Sequence, residues 1–365
     1  MADMLDYLAW RGDIEFTQLP VNAVDALIFS TLSYIRFEDI VPDNPLQSIS
    51  LSEAAACLFS QSDPVSRTRV KKDLDLLKAV SESARFNNIR MSFYRSILIP
   101  EEDTQFAAVT IFLEDGSAYI AFRGTDNTLT GWKEDFNMSF QSSVPAQQLA
   151  LEYVRQFAAA HPIPIWMGGH SKGGNLAVYA AAKCGELLQK RIVEVYSQDG
   201  PGFSAGMMRD PGYLAILPKV RSYVPQSSII GMLLEHEEPY TIIKSNQIGI
   251  MQHDPYSWQV LGADFLRVEE LTADSRFLDR TFKNWLSQMS NEERSEFFDT
   301  VFELLESTGA ERAGEIIRPQ NVRAYLKLLH TNEYMRSVLA SELVRLVSSA
   351  RQAQNNPQTL PDESI

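Results

Sequence analysis

A serine held between glycines at the end of an apolar run is the residue best placed to do chemistry in this chain. Ile163-Pro164-Ile165-Trp166-Met167 leads into Gly169-His170-Ser171-Lys172-Gly173, and Leu176, Ala177, Ala180, Ala181 and Cys184 follow at helical spacing. Strand, sharp turn, helix is the setting in which Gly-x-Ser-x-Gly exposes a serine hydroxyl as a nucleophile. The helix N-terminus then aims its free N–H groups at whatever the serine attacks.

A serine hydroxyl is a weak nucleophile and needs a base that can take its proton near neutral pH, usually a histidine. Five histidines are available. His161 precedes the apolar run, which sends it to the far end of the strand. His170 adjoins the serine on a sharp turn, so its side chain is expected to project elsewhere. His330 falls in a helical tail, on a surface. His236 sits in Glu235-His236-Glu237-Glu238, a run that reads as a solvated segment. His253, in Gln252-His253-Asp254-Pro255-Tyr256-Ser257-Trp258, follows a short strand and loop and is preferred over His236 as the base.

The third group must orient the imidazole and stabilise its charged form. Asp199, where the strand pattern Arg191–Ser197 runs into Gln198-Asp199-Gly200-Pro201-Gly202, is the best acid, although a turn aspartate beside Gly-Pro is also common. The order Ser171, Asp199, His253 is the chain order expected of a serine, acid, histidine set on an α/β sheet. An oxyanion needs two N–H donors. One is expected from Lys172 and the other from Arg123-Gly124-Thr125, where Thr125 could add its hydroxyl.

The elements that position these residues can be read from periodicity. Residues 1–95 read mainly as helix, with Val21, Val24, Ile28, Leu32 and Ile35 at helical spacing. Phe106–Leu113 and Ser117–Phe122 read as strands joined by Glu114-Asp115-Gly116, a hairpin signal. Residues 146–160 form an amphipathic helix pattern, and further strands are expected near 191–197, 220–224 and 240–244. Alternation of strand and helix over 106–260 predicts an α/β fold with a mostly parallel central sheet. The organisation expected is a helical N-terminal extension (1–95), a core (96–262), a helical C-terminal region (263–350) and a disordered tail (351–365). Ser228–Leu234, apolar and Met-containing, would line an acyl pocket, form a lid, or be a buried helix of the sheet layer.

Ala121-Phe122-Arg123-Gly124-Thr125, the following Trp132-x-x-Asp135, and Gly169-His170-Ser171-Lys172-Gly173-Gly174 together resemble the class 3, fungal-type lipase branch of the α/β-hydrolases. The resemblance covers about 106–260 and implies an α/β-hydrolase fold with Ser171 as nucleophile and Thr125 in the oxyanion hole. Asp-Gly-Pro-Gly-Phe (199–203), Gln-His-Asp-Pro-Tyr-Ser-Trp (252–258) and Tyr7–Asp13 resemble a largely uncharacterised bacterial family within that group. Two departures stand out. Lys172 replaces the usual leucine. The segment Val224-Pro225-Gln226-Ser227 lacks the carboxylate that class 3 lipases carry there, and Asp199 instead resembles the position used by pancreatic-type lipases.

A formal charge of −14 argues against nucleic acid as a partner and disfavours strong attraction to anionic membranes. Cys57 and Cys184 make no metal or disulfide spacing and read as small core residues. No cofactor or metal is implied. The N-terminus lacks a signal-peptide pattern and no stretch is long enough to span a membrane, so a cytoplasmic location is expected. The expected activity is that of a serine hydrolase cleaving an acyl ester or thioester. The alternatives are a phospholipase or monoacylglycerol-type lipase, or a non-catalytic scaffold that binds a protein through its helical ends.

Overall fold

The computed structural model describes residues 2–126 and 128–355. Eight strands form one sheet in chain order: β1 (Ile49–Ser50), β2 (Arg90–Ile99), β3 (Thr104–Phe112), β4 (Ala118–Phe122), β5 (Ile165–His170), β6 (Ile192–Gln198), β7 (Val220–Pro225) and β8 (Tyr240–Ile243). Strands β1 to β4 pair antiparallel, and β4 to β8 pair parallel. The ends of β4, β5 and β6 therefore open at one edge, with Phe122 opposite Gly169 and His170 opposite Gln198.

Sequential order in a parallel sheet has a consequence for its two faces. Crossovers of one hand carry every connecting helix to the same side. Helices α6 (Pro145–Ala160) and α7 (Lys172–Lys183) and the short helix Pro211–Ile216 accordingly share one apolar layer with Ala118, Ile120, Phe122, Ile165, Met167 and Val195. The residues between them in sequence, Tyr119, Ala121, Trp166 and Tyr196, face the other way. That second face is closed by α1 (Met4–Arg11), α2 (Ala23–Leu32), α3 (Leu51–Phe59) and α4 (Lys72–Glu82).

Helix α2 is buried along its whole length, as suits an all-round apolar helix at the centre of a layer. Its one charge, Asp25, accepts from Tyr7 Oη at 2.8 Å and from Arg85 Nε at 2.9 Å, and Arg85 also stacks 3.9 Å over Phe16. Removing one partner of such a fully buried pair costs about 3–5 kcal/mol.

Several expectations need correction. Strand β2 begins at Arg90, inside the stretch read as mainly helical, because pairing with β3 along its length overrides a weak local pattern. Cys57 is exposed, not core: Leu51, Ala54, Ala55 and Leu58 take the inner face of α3 and turn Cys57 outward, while Cys184 is half-buried against the helical layer. The C-terminal helix Glu333–Asn355 includes 351–355, the first residues of the expected tail. Residues 356–365, the rest of that expected tail, lie outside the described residues. Among the described residues no helix is long and apolar enough to cross a membrane, and no group of three or more His, Cys, Asp or Glu could hold a metal ion.

Candidate active site

Ser171 lies in the tight strand-to-helix turn between β5 and α7 with φ 58° and ψ −134°, a conformation rarely adopted by a non-glycine residue. Such strain costs about 1–3 kcal/mol and is held by its surroundings. The flanking glycines are required by close packing. A Cβ at Gly169 would meet the Gly173 carbonyl carbon at 2.2 Å, and one at Gly173 would meet the Phe122 carbonyl oxygen at 2.2 Å. The amide N–H groups of Lys172 and Gly173 at the start of α7 have no acceptor among the described residues.

The neighbouring strand brings the acid. Ser171 N–H donates to the Gln198 carbonyl at 2.9 Å, one residue before Asp199, and Asp199 N–H donates to the Tyr223 carbonyl at 2.8 Å. Asp199 also has a positive φ, 54°, and is almost fully buried. Its Oδ1 accepts from Ser228 Oγ at 2.5 Å and from the Gly231 N–H at 3.1 Å. Its Oδ2 faces His253 Nδ1 at 2.6 Å. The sequence-predicted acid and base are thus in contact. Ser171 Oγ makes no hydrogen bond among the described residues, so the structure does not close a serine–histidine bond. Such bonds are often loose before substrate binds.

The loop carrying His253 is fixed by its own segment. Trp258 is fully buried and its Nε1 donates to the Gln252 carbonyl at 2.9 Å. Gln252 Oε1 accepts from Ser227 N–H at 2.8 Å, and Tyr256 Oη donates to Asp73 of α4 at 2.8 Å. The Gln252–Trp258 segment is therefore a clamp that ties the histidine to the sheet end and to the N-terminal helices.

His170 was expected to point away and does not. Its ring centroid lies 4.5 Å from that of His253, and its Nε2 is 2.7 Å from the His253 carbonyl. A carbonyl only accepts, so Nε2 carries the proton and Nδ1 accepts from Tyr34 Oη at 3.0 Å. Burial, then the neighbouring His253 and Arg69, push its pKa well below the usual histidine value. His170 is a neutral support with both nitrogens engaged. His236 also needs correction: its side chain is only 9 % exposed and pairs through Nδ1 with Glu238 at 3.2 Å. The acidic run folds inward there because Glu238 accepts from buried Tyr213 Oη at 2.5 Å.

On the other side of Ser171, Gly124 abuts the elbow: a Cβ there would lie 3.1 Å from Ser171 Cβ. Thr125 follows, and its hydroxyl donates to Asp135 Oδ2 at 2.5 Å. That bond occupies the hydroxyl, while the Thr125 backbone N–H has no acceptor among the described residues. Burial raises the Asp135 pKa to about 6, against the lowering effects of Lys172 and of the Thr125 hydroxyl. Its side chain is nevertheless 31 % accessible, so water screens part of that effect.

Lys172 contributes more than an N–H. Its buried Nζ donates to Glu134 Oε2 at 2.8 Å and to the Gln105 carbonyl at 2.9 Å. Glu134, on helix α5 (Leu129–Asn137), also accepts from Gln105 N–H and Ala146 N–H. The turn at Ser171, the start of β3 and α5 are joined through this one cation. Sequence reasoning missed Glu134, His170, Ser228 and Tyr34. The only available signal was the lysine itself, a charge at an elbow position that demands a buried partner.

A mostly parallel sheet whose fifth strand turns through a strained serine into a helix defines an α/β-hydrolase fold. More particularly, the chain belongs to the Mbeg1-like family, whose model matches residues 80–303. No curated protein matches the chain significantly in sequence. Among solved structures, it is similar to M37 lipase, at 14 % identity over 68 % of this chain and 82 % of that one, with a TM-score of 0.37. It is also similar to Rhizomucor miehei lipase in its propeptide complex, at 15 % identity over 55 % and 66 %, with a TM-score of 0.32.

Proposed function

We propose that this chain is a serine hydrolase that cleaves an acyl ester or thioester through an acyl-enzyme intermediate. The observation that supports it most is the 2.6 Å contact between Asp199 and His253, one strand over from the strained Ser171. Ser171 Oγ attacks the acyl carbon while its proton passes to His253 Nε2. The N–H groups of Lys172 and Thr125 receive the oxyanion. Collapse breaks the bond to the leaving oxygen or sulfur, which takes the proton from His253. Water then attacks the acyl-serine, gives its proton to His253 and releases the acid, and Ser171 regains the proton. Asp199 stays ionised throughout and stabilises the imidazolium. No cofactor takes part, the core of 96–262 carries the chemistry, and the enzyme works in the cytoplasm.

A fluorophosphonate probe tests this directly. Folded wild type should be labelled at Ser171, and Ser171→Ala should lose both label and p-nitrophenyl ester turnover. Wild type that is folded but unlabelled, and inert on short and long acyl esters, would leave the fold as a scaffold.

A further inference from the structure

A chain of net charge −14 gathers four arginines around one small cleft beside the elbow. Arg36, Arg69, Arg123 and Arg312 line a space of about 130 Å³, with Asp126 as its one acidic wall. Arg123 comes directly before Gly124 and Thr125. Arg36 and Arg69 come from the N-terminal region and Arg312 from the C-terminal helices, so three of the four lie outside the family match at 80–303. The cleft is made only when both ends of the chain fold onto the core.

Two of its guanidinium groups, those of Arg69 and Arg123, are poorly matched by protein acceptors, whereas Arg36 Nη2 donates to the Ser66 carbonyl. Arg123 is 5 % exposed, its Nε lacks a hydrogen bond among the described residues, and its nearest carboxylate oxygen, on Asp126, is 4.0 Å away. Arg69 Nε and Nη2 are buried without hydrogen bonds, and Asp254 approaches Nη2 only to 3.6 Å. Asp126 Oδ1 is already taken by Thr128 N–H and Oγ1. Leaving buried guanidinium donors unmet is costly, and an anion with several acceptor oxygens meets them. Four cations against one lining carboxylate suit a phosphate better than a single carboxylate.

The cleft also adjoins the proposed reaction centre. Tyr34 is shared: Arg69 stacks 4.7 Å from its ring centroid, while its hydroxyl supports His170 next to Ser171. Only Gly124 separates Tyr34 Oη from the Ser171 side chain. We propose that this cleft binds the phosphate of a phosphate-bearing acyl ester while the ester carbonyl sits at Ser171. The inference rests on the serine-hydrolase reading and names the substrate class for it.

The test uses the full chain and Ser171→Ala, with four probes: a lysophosphatidic acid below its aggregation concentration, the matching monoacylglycerol, glycerol phosphate and inorganic phosphate. Calorimetry on Ser171→Ala should show the lysophosphatidic acid binding roughly ten- to a hundredfold more tightly than the monoacylglycerol. That preference should shrink with added salt and fall in Arg123→Gln. Arg312→Gln, at an exposed position, gives the same reading if Arg123→Gln fails to fold. Wild-type kcat/KM should favour the phosphorylated ester in the same direction. Equal binding of the two acyl probes overturns the proposal, even if both are hydrolysed. Inorganic phosphate binding as tightly as the lysophosphatidic acid also overturns it, making the cleft a free-phosphate site. Phosphate-dependent acyl binding without any hydrolysis leaves the cleft standing and removes the hydrolase reading alone.

Discussion

Asp199→Asn is the most discriminating single substitution, because the surroundings of Asp199 dictate which way the new amide must lie. Oδ1 faces two donors, Ser228 Oγ at 2.5 Å and Gly231 N–H at 3.1 Å, while Oδ2 faces His253 Nδ1 at 2.6 Å. An asparagine can satisfy the two donors only with its carbonyl oxygen, which turns its NH₂ toward His253. Nδ1 must then accept, so the ring proton moves to Nε2, where the base should be free to take the serine proton. The shape is unchanged and the fold should persist, yet the histidine is held in the wrong tautomer. The expected loss in kcat is about a thousand- to ten-thousandfold, or roughly 4–5.5 kcal/mol of transition-state stabilisation. The assay is p-nitrophenyl butyrate turnover at neutral pH, with circular dichroism and urea unfolding as controls for folding. A folded Asp199→Asn enzyme within tenfold of wild type would refute the reasoning, since the carboxylate would then have no part in setting the tautomer.

Two further outcomes follow from the groups behind the oxyanion site. Lys172→Met leaves the Glu134 carboxylate fully buried without its cation and should cost about 3–5 kcal/mol in urea unfolding; a cost below about 1 kcal/mol, the range of exposed ion pairs, would mean that water reaches Glu134. Asp135 has a folded pKa of about 6, above the ordinary carboxylate value, so the folded state holds its proton over a window in which the unfolded chain has lost it. Its contribution to stability is complete below about pH 4 and is lost as pH rises through about 6. Asp135→Asn should flatten that part of the stability–pH curve, and curves of equal slope for the two proteins would show that solvent screening has erased the shift.

Much of the candidate site was legible along the chain because its signals are local. The elbow needs Gly169, Ser171 and Gly173 at fixed spacing, since any Cβ at the glycines collides with backbone. Strands β3 to β8 announced themselves by short apolar runs between turns. His253 could be reached by elimination because histidines are few, and Asp199 because a strand pattern ended on it. The resemblance to lipases pointed to the same fold.

What the chain could not show are contacts between residues distant in sequence. His170 and Tyr34, 136 positions apart, meet because α2 packs across β5, and His170 and His253, 83 positions apart, meet through the His253 carbonyl that holds the proton on His170 Nε2. Lys172 stood out in the sequence only as a departure from leucine, and its buried partner Glu134 comes from α5. His236 looked solvated until Glu238 turned inward to Tyr213. Sequence alone determined the elbow and singled out Asp199 and His253 as candidate partners, because spacing and residue type fix a strained turn and few histidines compete. Tertiary structure alone decided how the acid is held, which histidine is a support, and that four arginines from three separate regions face one cleft. Those depend on through-space electrostatics, which packing sets and linear order does not record.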